Sequence, residues 1–226
     1  MRLPFFATTP KKSILAPVFT GMALICLAYF CWLMGQIVWG YRTLDPMNDF
    51  LILKQFWVKF DWWRWAFWTH VFSSGLVLLA GFSQFWQGFG SLDYRKWHKY
   101  LGYFYVITVL GLALPSGFVL AWTALGGWLV KGSFLTLCGL WGYTTIMAVV
   151  TVRKRQIARH RTLMVYSYAL AMSAITLRLL KLGLYQLAPY VDWLTPMTIY
   201  RTESVLAWVI NLAIAWLFLK LTGNGK

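Results

Sequence analysis

An all-α integral membrane protein, with about six transmembrane helices in a bundle, follows from three features of the sequence. The 226 residues are 60% hydrophobic and only 12% charged, too apolar for a soluble domain of this length. The apolar residues fall into long stretches, and about 20 residues at about 1.5 Å each cross the roughly 30 Å of a hydrocarbon core. Basic residues gather in the short connections between stretches, where they orient membrane helices.

Taken in order, the stretches at 13–39, 65–88, 100–125, 132–152, 160–181 and 204–221 are the expected spans. The first follows Lys11 and Lys12 and is longer than a signal-peptide core, so a retained anchor is expected. Between the first and second spans, residues 40–65 carry tryptophans at 57, 62, 63 and 65. Their apolar rings and polar N–H groups suit the headgroup region, so a short interfacial helix is expected there. The third span is interrupted by Pro115, which has no N–H to donate and should bend the helix. In the fourth, Gly139 and Gly142 permit close packing against a neighbour. No linker or low-complexity run divides the chain, so 1–226 reads as a single membrane domain.

The formal charge of +15 does not imply nucleic acid, because its distribution is that of a multi-pass protein. With a cytoplasmic amino terminus, 13 of the 21 Lys and Arg fall inside, and all the acidic residues except Asp93 fall outside. Both termini are therefore expected in the cytoplasm. Cys26, Cys31 and Cys138 lie within spans and read as apolar packing residues.

Helical spacing identifies the inward faces. His70, Ser74, Val77, Gly81, Gln84 and Gly88 form one stripe, and His160, Met164, Ser167, Ala171, Ala174 and Arg178 form another. Small and polar residues in a stripe mark helix interfaces, where backbones approach closely and polar groups escape lipid. His98, Gly102 and Tyr105 share a face of the third span.

His98 and His160 open spans that start on the same side, so their imidazoles are expected at one level. Two such histidines can supply both axial ligands of a b-type haem. Gly102, one turn deeper, would leave room for the macrocycle, and Arg95 and Arg161 could pair with its propionates. The other reading is that the two histidines only cap their spans at a basic boundary, or contact lipid phosphate. His70 lies nearer the opposite surface, as do Arg178 and Glu203, for which a structural salt bridge is expected, with an anion-binding or proton-handling role for Arg178 as the alternative. Walker, metal-repeat and nucleophile-elbow motifs are missing, which disfavours ATP-driven and hydrolytic chemistry.

The order of motifs, His70 with Gln84, then RKWHKYLGYFYV, then RHRTLMVYSYALAMSAITLRLL, resembles the bacterial predicted membrane proteins grouped as domain of unknown function 2306. The likeness covers about residues 65–215, with Lys99 standing where an arginine often follows the histidine. It implies a multi-helix membrane core in a bacterial inner membrane and no particular reaction. It marks His70, Gln84, Arg95, His98, Gly102, His160, Arg161 and Arg178 as the positions to test.

Three readings of function stand from the sequence. The first is an electron-transfer protein with haem b, or a quinone, at His98 and His160. The second is a non-catalytic accessory or assembly subunit that meets a larger membrane complex through residues 40–65. The third is a small transporter or lipid-binding protein that uses His70, Gln84 and Arg178.

Overall fold

The computed structural model describes residues 15–86 and 94–222, and among them there is no strand. Helix α1 runs Leu15–Gly40. A 3₁₀ segment, Asp49–Lys54, leads into the four-residue α2, Gln55–Val58, and α3 covers Asp61–Trp86. Helix α4, Tyr94–Thr108, passes through a π-helical turn, Val109–Ala113, into α5, Leu114–Trp122. Helices α6, Trp128–Arg153, α7, Ile157–Ala171, α8, Ser173–Leu187, and α9, Pro196–Leu221, complete the chain.

Two helices in the second half start for a local reason. Gly127, at φ +83°, turns the chain into α6 through a backbone region that side chains avoid. The Thr195 hydroxyl accepts the Thr198 N–H at 3.2 Å, and Pro196 occupies the first turn of α9, where its missing N–H costs nothing. Pro115 interrupts the third span as expected, but by a π-helical turn just before it rather than by a break. Lys96–Trp122 still reads as one span.

Among the described residues four helices are long and apolar enough to cross a membrane: Asp61–Gln84, Lys96–Trp122, Trp128–Arg153 and Pro196–Leu221. The bent pair Ile157–Ala171 and Ser173–Tyr190 counts as a fifth when taken as one broken span. The first expected span falls on the 26 residues of α1. Large apolar side chains such as Ile107, Tyr143, Ile214 and Leu217 face outward, as lipid contact requires.

Helix α3, the α4–α5 rod, α6 and α7 pack in a ring, with α1 against the outside of α3 and α9 against α6, α7 and α8. In that ring α4 and α7 stand on a diagonal. The main core cluster includes Val77, Leu78, Tyr105, Val109, Trp141, Tyr168 and Leu170.

The sequence reading is corrected at three places. The fifth span is not continuous: it bends by 40° between Ala171 and Ser173. Asn211 of α9 braces the bend, its amide N–H donating to the Ala169 carbonyl at 3.0 Å and its oxygen accepting from Thr176 at 2.8 Å. A broken helix persists in lipid only where freed backbone groups find such partners. The tryptophans of residues 40–65 do not all face the headgroup region. Trp63 is fully buried and donates to Thr123 Oγ1 at 2.9 Å, while Lys54, 3% exposed, donates to the Thr123 carbonyl at 2.6 Å. The segment is thereby fastened to the end of α5, and Trp62 and Trp65 remain exposed. Lastly, Gly142 does approach a neighbour, Leu114, but Gly139 faces open space.

Candidate functional site

The polar interior begins at Tyr105, which is fully buried on α4. Its hydroxyl lies 2.9 Å from Ser167 Oγ on α7, and Ser167 in turn lies 2.8 Å from Thr145 Oγ1 on α6. Trp141 Nε1–H reaches the same tyrosine oxygen at 3.4 Å. Three helices are thus joined by one satisfied network. A tyrosine, a hydrogen bond and a serine placed end to end span a gap wider than the about 8–10 Å of directly packed helices. That gap separates α4 from α7.

His98 lies seven residues before Tyr105, and His160 lies seven before Ser167. Seven residues are close to two helical turns, or about 10 Å, so each histidine shares the face of its network partner. Because α4 and α7 both begin at the same end of the bundle, the two imidazoles stand at that end, and the electrostatic field of His160 reaches His98. His160 Nδ1 lies 2.8 Å from the Ala148 carbonyl. A carbonyl only accepts, so Nδ1 carries a proton, and in the neutral ring the lone pair is then on Nε2. This is the tautomer of a histidine prepared to bind a metal through Nε2.

Gly102 stands between His98 and Tyr105 on α4, and a Cβ there would meet nothing within 4 Å. Gln84, near the end of α3, has both amide atoms buried and without hydrogen-bond partners. Lys96, Lys99, Arg153, Lys154, Arg155 and Arg159 are exposed at this end, with Arg161 half-buried. The Arg95 side chain lies outside the described residues, as does Gly88 of the α3 stripe.

The remaining polar positions gather in the other half of the bundle and do not join this group. His70 Nδ1–H donates to the Ala113 carbonyl at 3.1 Å, and its ring lies over Gly117. Arg178 is within electrostatic reach of His70 and Glu203. The expected salt bridge to Glu203 is not formed. Arg178 Nη1–H donates instead to the Ala174 carbonyl at 2.8 Å, and Glu203, 2% exposed, keeps Oε2 buried without a partner. Among the described residues the ion pair present is Arg64 with Asp61, at the start of α3.

Trp141, Thr145 and Asn211 were not singled out by the sequence. A lone asparagine within an apolar span was a signal for Asn211. Trp141 and Thr145 had none, because isolated Trp and Thr are ordinary in such helices. Cys26, Cys31 and Cys138 are free thiols, and no group of three or more metal-ligating side chains exists among the described residues.

Apolar helices around a buried polar interior define a multi-helix integral membrane protein, whose surroundings are a lipid bilayer. Within that class the chain belongs to the family described as predicted membrane protein (DUF2306), whose model matches residues 67–219. Neither a curated protein nor a solved structure matches the chain.

Proposed function

We propose that this protein is a membrane electron carrier that holds one b-type haem between His98 and His160. The observation that carries this reading is the register of α4 and α7, each with a histidine two turns from the residue that meets its partner across the bundle. The diagonal placement supports it further, because two imidazoles with an iron between them need more room than directly packed helices leave.

The donor set fits the group. His160 spends its Nδ1 proton on Ala148 and keeps Nε2 for ligation. The open space beside Gly102 suits a flat macrocycle, and the basic residues at this end suit its carboxylates. Haem b, when bound, supplies reversible one-electron chemistry. The chain's own contributions are to orient the imidazoles, to close the site from beneath with the Tyr105–Ser167–Thr145 network, and to set the surrounding charge. The distribution of Lys and Arg supports a bacterial inner-membrane location with this end facing the cytoplasm.

The test is the reduced-minus-oxidised visible spectrum of protein purified from haem-replete cells. Sharp haem bands are expected, and they should be lost in His98→Ala and in His160→Ala but kept in His70→Ala. A folded, colourless wild-type preparation would refute the proposal. It would favour an accessory subunit instead, checked by co-purification with a larger membrane complex.

A further inference from the structure

Gln84 is a buried primary amide for which the fold provides no partner. Its Nε2 and Oε1 are both inaccessible and neither makes a hydrogen bond. Among the described residues it is the one side chain with two such atoms; Ser173 and Glu203 leave one each, elsewhere in the bundle. An amide that loses its water and gains nothing opposes folding, so natural interiors avoid the arrangement unless something else satisfies the group.

Position shows where that partner belongs. Gly81 presses this face of α3 against α7, since a Cβ on it would fall 2.1 Å from the Tyr168 ring. Gln84 lies one turn beyond Gly81, towards the end where α4 and α7 begin. Helices α3 and α4 pack against each other, Gln84 lying near the last residue of α3 and His98 near the first turn of α4. The amide therefore stands on the helix that packs against both α4 and α7, at the end of the bundle that holds the space between the two histidines.

We propose, on the reading of that space as a haem site, that Gln84 binds the macrocycle's rim, its Nε2–H donating to a propionate carboxylate. A donor suits this place because a carboxylate carried into the bundle needs hydrogen bonds, and the amide supplies one without introducing another charge. Gln84 is then a ligand-contacting residue that selects for a macrocycle with acidic arms. Its polarity is costly to the empty protein and useful to the loaded one.

The experiment titrates haem-free protein, wild type and Gln84→Met, with haemin and with haemin dimethyl ester, whose propionates are capped. Methionine keeps the side chain's length and removes its hydrogen bonds. Haemin affinity should fall about tenfold in the variant, as expected for a hydrogen bond to a charged group. Affinity for the ester should be the same in both proteins. The haem-free variant should melt at or above the wild-type temperature, because it no longer buries an unsatisfied amide.

An equal loss for haemin and ester, or no loss for either, would overturn the propionate contact while leaving the haem site standing. Lower melting of the haem-free variant, repeated in Gln84→Leu, would show that the amide serves the scaffold and would also overturn it. Wild-type protein that binds neither compound would overturn the contact and the haem reading together.

Discussion

Replacing Gly81 by alanine adds one methyl group where the fold has no space. The new Cβ would lie 2.1 Å from Tyr168 Cε2 and 2.2 Å from Cδ2. The ring cannot swing aside cheaply, because Tyr168 is buried in the core cluster and its hydroxyl donates to the Leu78 carbonyl at 3.1 Å. Overpacking of this kind costs about 1–3 kcal/mol. Losing the tyrosine's hydrogen bond adds about 0.5–1.5 kcal/mol, while alanine's better helix propensity returns up to about 1 kcal/mol. The net expectation is a destabilisation of about 0.5–4.5 kcal/mol.

Thermal unfolding in detergent, followed by near-ultraviolet circular dichroism, reads this directly. At about 2–4 °C per kcal/mol for a chain of this size, the melting temperature should fall by several degrees. Gly139→Ala on α6 is the control, since its Cβ would meet nothing within 4 Å and it should be neutral or slightly stabilising. Should Gly81→Ala melt with or above the wild type, the argument from close approach is wrong. Tyr168 also follows Ser167 on α7, so the same displacement should weaken haem binding if His160 is a ligand.

Gly117→Ala places a methyl 3.0 Å from the His70 ring and strains its bond to Ala113, so a smaller loss of about 1–2 kcal/mol is expected by thermal melting. Asn211→Ala deprives the Ala169 carbonyl of its donor at the bend, costing about 1–3 kcal/mol, and hydrogen exchange near residue 172 should accelerate. Lys54 makes a prediction about pH. Burial first, and then the charge of Lys131, pull its ammonium from 10.5 down to about 8. A lysine whose folded value is depressed penalises the fold while protonated in it. Stability should therefore rise as pH goes from about 8 towards 10.5, by on the order of 3 kcal/mol at most. Melting curves across that window should show the rise in wild type, and Lys54→Met should flatten it.

Much of the architecture was legible in the sequence because membrane helices must meet length and polarity limits that soluble ones escape. Apolar stretches of about 20 residues admit few other structures, since backbone groups in lipid have to be satisfied within the helix. That His98 and His160 belong to one end of the bundle was likewise visible, because two spans that begin on one side carry their first residues there. The bend at Met172 was not. No proline or glycine marks it, and what sustains it is Asn211, nearly forty positions further along the chain.

The sequence by itself determined the membrane class, the helical stretches, the basic end and the set of polar residues within spans. Local composition and helical period carry all of these. Only the tertiary structure decided which polar groups satisfy one another: Tyr105 with Ser167, Lys54 with Thr123, Arg178 with Ala174 rather than Glu203. Hydrogen bonds depend on distances of a few tenths of an ångström between residues far apart in the chain, and periodicity carries no such information. The buried amide of Gln84 stands out for the same reason, since an unmet hydrogen bond is recognisable only after every neighbour has been placed.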